Sequence, residues 1–324
     1  MKILYKVKLY PFNIFCTFEG VHKRWINIIS FIIGVAALIV LIFRISVSAK
    51  TINVSEINRL FEGWQHILLL LIAVLLIFVN WGIESIKWHK LSRVVEDVGL
   101  VKATKSVLTG LAYGHLLPAR SSEFFGKILF FKDENKVSIT ILHFINSMFQ
   151  LIVTLVFGIL ALLSLNPDNK HYQVVLILTS LILLIVVGVV VLKAERIFFL
   201  KKYFSELKFQ LHNKLKIELL FLSIFRYCIF LIQFYLIFKI FKEQQSFSFF
   251  FVSRIALYFL ITSVVPMISF IEIAVRAMIG IFVFHALGIN DFEITIITSI
   301  IWLLNIVLPS IIGFFFIFQK VRKK

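Results

Sequence analysis

Long apolar runs, broken by short basic connections, dominate the chain. Runs of about 18 residues or more can carry a helix through roughly 30 Å of hydrocarbon. Eight such stretches stand out, at approximately 25–43, 64–83, 137–164, 173–192, 217–241, 247–265, 271–288 and 293–318. They predict an all-α, polytopic helical membrane protein of about eight transmembrane helices. A further semi-apolar stretch, 105–131, is too polar in its middle for an ordinary span.

The basic residues orient this layout. Of the 34 Lys and Arg residues, 25 fall in the alternate segments 1–24, 84–136, 193–216 and 319–324. Only six lie in the opposite set, 44–62, 165–172 and 239–246, and Arg226, Arg254 and Arg276 lie within spans. Because cytoplasmic loops carry the excess of Lys and Arg, both termini are expected in the cytoplasm, which an even number of spans satisfies. The expected location is the cell membrane. The stretch 105–131 must then enter and leave on the cytoplasmic side, either as a re-entrant hairpin or as two short tilted helices meeting at Pro118. Irregular backbone at membrane depth is tolerated only where protein or a wet cavity covers it, so both forms imply a cavity near Pro118. The alternative is an amphipathic segment lying on the cytoplasmic surface.

No soluble domain fits between the spans. Residues 1–24, with Pro11 and the aromatics Tyr5, Tyr10, Phe12, Phe15 and Phe18, read as an interfacial cytoplasmic segment. Residues 25–318 form one membrane domain, and 319–324 a basic tail. Lys23 and Arg24 precede the first run, and Ser46-Val47-Ser48-Ala49 imitates a signal cleavage site. The leader would be unusually long and its apolar core too long for a signal, so an uncleaved first span is expected.

Composition agrees with the class: 60% hydrophobic, 16% charged, with a mean hydropathy of +0.98. The net charge of +17 does not point to nucleic acid, because the cations sit between apolar runs. There they set topology and meet anionic headgroups. Cys16 and Cys228 stand in no metal or redox spacing, so neither a disulfide nor thiol chemistry is expected. No P-loop, dinucleotide fingerprint, acidic metal cluster or Ser-His-Asp arrangement is visible, so no cofactor, metal or ATP motor is expected on this chain.

Two stretches place charge where a span should have none. The first is Pro118-Ala119-Arg120-Ser121-Ser122-Glu123-Phe124-Phe125-Gly126-Lys127; the second is Pro266-Met267-Ile268-Ser269-Phe270-Ile271-Glu272-Ile273-Ala274-Val275-Arg276. Each has a proline, a glutamate five or six residues on, and a cation four residues later. On a helix beginning after Pro118, Arg120, Glu123 and Lys127 share a face, and Arg120 beside the helix N-terminus suits a phosphate. Glu123 with Lys127, and Glu272 with Arg276, are i,i+4 pairs that lower each other's cost in an apolar place. Ionisable groups at membrane depth are functional candidates by default. Paired broken elements in two halves of a chain point to a site near the midplane.

Other polar groups are weighed beside these. His143, Asn146 and Gln150 form a stripe expected to face the bundle or cavity, chiefly as interhelical hydrogen bonders. Arg226 is placed to snorkel, and Arg254 is a deeper cavity candidate. Asn80, Trp81, Lys87 and Trp88 read as an interfacial anchor, with Glu84 the member suspected of a role in the site.

Asn80-Trp81-Gly82-Ile83-Glu84-Ser85-Ile86-Lys87-Trp88 and the two proline-led stretches, in this order and at these separations, resemble the membrane region of lysylphosphatidylglycerol synthases and its stand-alone, flippase-like relatives. The resemblance runs from about 25 to 318. In the family's first motif Pro118, Arg120, Glu123 and Gly126 match, while Ser122 and Lys127 replace a glycine and an arginine. In the second, Ile271 and Ala274 stand where small residues are common, and Glu272 and Arg276 are kept. The larger synthases transfer the aminoacyl group with a separate soluble domain. This chain ends six residues past its last span, so aminoacyl transfer is not expected. The resemblance implies movement or presentation of a lipid or lipid-linked headgroup, anionic or phosphate-bearing. The expected substrate-binding residues are Arg120, Glu123, Lys127, Glu272, Arg276, Arg254 and Glu84. The alternatives are a membrane enzyme transferring a glycosyl or other group to a lipid, and an accessory partner of a lipid-synthesising enzyme.

Overall fold

The structure, a computed structural model, describes residues 63–114, 122–164, 170–193, 211–242, 246–265, 267 and 271–321. The expected span 25–43, both motif prolines and Arg120 lie outside these. The described residues are helical and contain no strand. This is the architecture hydrocarbon demands, since a helix satisfies its own backbone groups where no water can.

In chain order the helices are α1 (Trp64–Ser92), α2 (Leu100–Gly114), α3 (Glu123–Ile128), α4 (Lys136–Ser164), α5 (Lys170–Lys193), α6 (Asn213–Phe241), α7 (Phe249–Val264), α8 (Glu272–Phe284), α9 (Asp291–Trp302) and α10 (Leu308–Val321). A π-turn, Leu303–Val307, joins α9 to α10. Among the described residues, four stretches are long and apolar enough to cross a membrane: Trp64–Ser92, Asp133–Leu163, Asn213–Phe241 and Asp291–Ile317. Much of their surface is apolar and faces outward, as at Leu75, Phe78, Leu160, Phe221 and Phe315.

The segment expected at 105–131 folds as a helical hairpin. Its outer ends meet at Glu96, whose Oε1 accepts from Lys102 Nζ at 2.9 Å. Its Oε2 accepts from the Lys132 backbone N–H at 3.1 Å and from Asn135 Nδ2 at 3.0 Å. Chain that leaves Glu96 thus returns to it 36 residues later, so the hairpin enters and leaves on one side. The arms, α2 and α3, are in backbone contact. A Cβ on Gly126 would lie 2.4 Å from the Thr109 carbonyl oxygen. The Trp88 indole donates to Ser106 Oγ, which donates on to the Lys127 carbonyl, fastening both arms to α1. On another flank of α2, Gly313 of α10 leaves no room for a Cβ beside the Leu108 carbonyl.

Residues 247–265 and 271–288, read from hydropathy as two spans, form helices of only 16 and 13 residues. At 1.5 Å per residue they reach about 24 and 20 Å, short of a full crossing. They too make a hairpin. Arg254 near the start of α7 donates to the Val283 carbonyl near the end of α8, and Phe238 of α6 meets both Phe251 and Phe284. A 3₁₀ turn, His285–Leu287, and Gly288 in the left-handed region (φ 65°) end the returning arm.

The two hairpins point in opposite directions. Lys90 pairs with Glu218 at 2.7 Å, which puts the Glu96 end of the first hairpin at the start of α6. Lys242 donates to the Leu287 carbonyl, which puts the outer end of the second at the finish of α6. Their inner ends, Gly114 with Glu123 and Val264 with Glu272, are directed toward the middle of the bundle.

Two outcomes are expected. Gly126→Ala forces α3 off α2 and lowers stability by about 1–3 kcal/mol, the usual cost of overpacking, measured by thermal unfolding in detergent. Glu96→Ala unclasps the first hairpin at a cost of about 2 kcal/mol, for loss of charge-assisted hydrogen bonds. Burial pushes the Glu96 carboxyl up, but hydrogen bonds from Asn135, Lys102 and the Lys132 N–H outweigh it and hold the group below the ordinary carboxylate range. Its contribution is therefore full above the ordinary value and fades as pH falls through the lowered one, so the difference between wild type and variant shrinks on acidification.

Candidate functional site

The inner ends of both hairpins line one cavity of about 420 Å³. Glu123 and Lys127 come from the first, Glu272 and Arg276 from the second, and Glu84, Lys87 and Arg226 from α1 and α6. Among the described residues, four cations face three carboxylates, a formal excess of one positive charge. Asn146, Ser147, Gln150 and Thr154 of α4, with Thr262 and Ser263 of α7, complete the polar wall.

Glu84 is the hub. Its side chain is nearly inaccessible, and Lys87 and Lys127 are 0% and 1% exposed. Its Oε1 accepts from Asn146 Nδ2 at 2.7 Å and its Oε2 from Arg226 Nη1 at 3.0 Å. Lys87 Nζ lies 3.5 Å from Oε2 and donates to Ser223 Oγ at 3.0 Å. Helical spacing explains part of this, since residues 84 and 87 share a face of α1. The rest comes from α4 and α6 packing on either side.

Lys127 is held differently. Its ammonium stands 3.6 Å from Glu123 Oε1, 3.9 Å from Glu84 Oε1 and 4.7 Å from the centre of the Trp88 ring. Charge and the ring face hold it, with no hydrogen bond from its ammonium among the described residues. Arg276, by contrast, is tied to Glu272 through Nε at 2.9 Å and Nη2 at 2.8 Å.

A polar chain runs from this cluster into the bundle. The Arg226 guanidinium lies 4.8 Å from the Trp81 ring centre and donates through Nε to Asn80 at 2.7 Å. Asn80 donates to Asn305 Oδ1 at 3.1 Å. Asn305, within the π-turn, donates to Gln233 Oε1 at 2.6 Å, and Gln233 donates to the Ala73 carbonyl at 2.8 Å. Among the described residues, three buried atoms of the cavity lining have no hydrogen-bond partner: Trp81 Nε1, a donor, and Asn146 Oδ1 and Gln150 Oε1, both acceptors. Each retains capacity for a polar ligand.

The structure brings together Glu84, Glu123, Lys127, Glu272 and Arg276. Arg120 lies outside the described residues. Arg254 does not line the cavity; it stacks 4.9 Å from the Phe250 ring centre and braces the outer half of the second hairpin. Asn80, Trp81, Lys87 and Trp88 are buried rather than interfacial. Arg226 does not snorkel but joins Glu84. Lys87 and Arg226 are the charged members of the wall that sequence reasoning passed over. The available signal was the i,i+3 spacing of Glu84 and Lys87. Among the described residues, no group of His, Cys, Asp or Glu is arranged to hold a metal ion.

The family model of the lysylphosphatidylglycerol synthase TM region matches residues 27–313. The chain belongs to that family. It is accordingly a helical membrane protein of a family tied to lipid modification or translocation. No curated protein and no solved structure matches it.

Removing the hub should be costly. Glu84→Gln leaves Lys87, Lys127 and Arg226 crowded without their shared anion. The expected loss is about 3–5 kcal/mol, the scale for breaking a buried ion pair from one side. Lys87→Met in the same background relieves part of it. Reversible unfolding of the two single variants and the double variant measures the coupling.

Proposed function

We propose that the protein binds the phosphate-bearing headgroup of an anionic membrane lipid in this cavity and carries it between leaflets. The observation that carries the reading is the meeting of two oppositely directed hairpins, each bringing a glutamate–cation pair to one net-positive cavity. Discontinuous helices that meet near the midplane build binding sites in transporters, because they bring charge and polar groups to depth without exposing backbone to lipid. Among the described residues the Lys127 ammonium makes no hydrogen bond, so it takes the phosphate first. Arg276 follows by exchanging part of its bond to Glu272. Glu123 and Glu272 aim these cations and hold their charge when the cavity is empty. Membership of a lipid-handling family is consistent with this role. The Lys90 side, where the basic connections gather, faces the cytoplasm in this reading.

The test is headgroup accessibility in liposomes carrying a labelled anionic lipid, with a zwitterionic lipid for comparison. Wild type is expected to speed exchange of the anionic lipid over protein-free liposomes. Lys127→Met and Arg276→Met should each slow it by roughly tenfold or more, equal to losing about 1.4 kcal/mol of differential binding. If both variants keep the wild-type rate, the site is wrong. A wild type no faster than empty liposomes removes translocation.

A further inference from the structure

Some residues that line the cavity are also exposed on the outer surface of the helices. On α4 the outward stripe includes Val137, Phe144, Leu160 and Leu163, all exposed apolar residues on a membrane-crossing helix. Ser147 belongs to the same exposed surface, one turn beyond Phe144, yet it also lines the cavity. It lies 11 residues past Lys136, about 17 Å along the helix axis, well within the hydrocarbon. On α7, which packs against α4 where Leu260 meets Gly158, Ser263 and Val264 at the inner end are likewise exposed and likewise line the cavity; Val264 is 59% exposed. At that depth an outward-facing side chain meets acyl chains rather than water.

The chemistry of the lining follows the same division. At and beside these positions the hydroxyls are satisfied by their own helices: Ser147 by the His143 carbonyl, Thr262 by Tyr258 and Ser263 by Phe259. They lose nothing against hydrocarbon. The unpartnered polar atoms among the described lining residues belong to Trp81, Asn146 and Gln150, and seven charged side chains line the same cavity. A lining that carries its charges on buried or half-buried side chains and its self-satisfied serine hydroxyls on exposed ones fits an amphipathic occupant.

We propose that the gap between Ser147 of α4 and Ser263–Val264 of α7 is a lateral portal through which a glycerophospholipid inserts its headgroup while its acyl chains stay in the bilayer. Phe144, beside Phe124 at a ring separation of 6.1 Å, is the surface on which the first acyl segment rests. The proposal rests on the cavity being a headgroup site, but the portal can be tested without that reading.

With Cys16 and Cys228 replaced by serine, single cysteines at Ser147 and Ser263 are labelled with a fluorophore in vesicles of phosphatidic acid and phosphatidylcholine. Leu160→Cys serves as the bilayer-facing control and Arg93→Cys as the aqueous one. Acyl-brominated lipid should quench both mouth labels to within about twofold of the Leu160 label, and iodide should reach them roughly tenfold less than the Arg93 label, since the bilayer core excludes water. Ser147→Trp and Ser263→Trp, which fill the mouth, should lower retention of phosphatidic acid in native mass spectrometry by roughly tenfold, while Leu160→Trp leaves it unchanged. Iodide quenching as strong as at Arg93 overturns the portal, as does full lipid retention in both tryptophan variants. Lys127→Met separates the two readings: it should keep the bromolipid quenching and lose retention. If quenching persists and retention does not depend on Lys127, the portal stands and the headgroup assignment fails.

Discussion

A carboxylate that cannot reach water must be answered by cations inside the protein, and Glu84 sets that requirement for this structure. Isolated, its charge would be costly enough to favour another packing or protonation. Three cations and an amide meet it instead, drawn from α1, from the first hairpin, from α4 and from α6. Satisfying one side chain thus fixes how four elements stand around a common centre. The arrangement is not a large net source of stability, since desolvation offsets most of the attraction. What it supplies is a unique geometry, because no slide of one helix past another keeps all four contacts.

The same centre explains why the hairpins stop where they do. A helix that crossed completely would carry its glutamate–cation pair past the cavity. Ending α7 at Val264 and starting α8 at Glu272 brings Glu272 and Arg276 to the wall opposite Glu84. In the first hairpin the close backbone crossing at Gly126 brings Lys127 against Trp88 and within reach of Glu84. Fold and site are therefore one construction, with the polar atoms gathered at its middle and an apolar exterior.

How much of this could be read in advance depends on distance along the chain. The spans show in composition alone, and the two ionic pairs show because i,i+4 spacing and a preceding proline are local. The return of the first hairpin was legible from charge, since its flanks are both basic; the clasp at Glu96 was not. Lys87 and Arg226 were hidden for a physical reason. A cation beside tryptophan near a helix end looks the same in sequence whether it anchors at the interface or lies buried, and only the partner 142 residues away distinguishes the two for Glu84 and Arg226. Hydropathy likewise cannot tell a helix that stops halfway from one that crosses, so α7 and α8 were read as spans. Arg254 was misjudged because depth was visible and direction was not.

The π-turn at Leu303–Val307 has its own consequence. One extra residue in a helical turn rotates everything beyond it by about 100° relative to an unbroken helix. Here that offset lets Asn305 reach Gln233 and Asn80 while Gly313, farther along, still meets the Leu108 carbonyl of α2. The phase of the last membrane crossing is thus set by a count of residues rather than by their identity. Length in this stretch is the constrained quantity: a change of side chain at Ile306 alters packing locally, whereas loss of a single residue would swing the whole distal segment away from its neighbour.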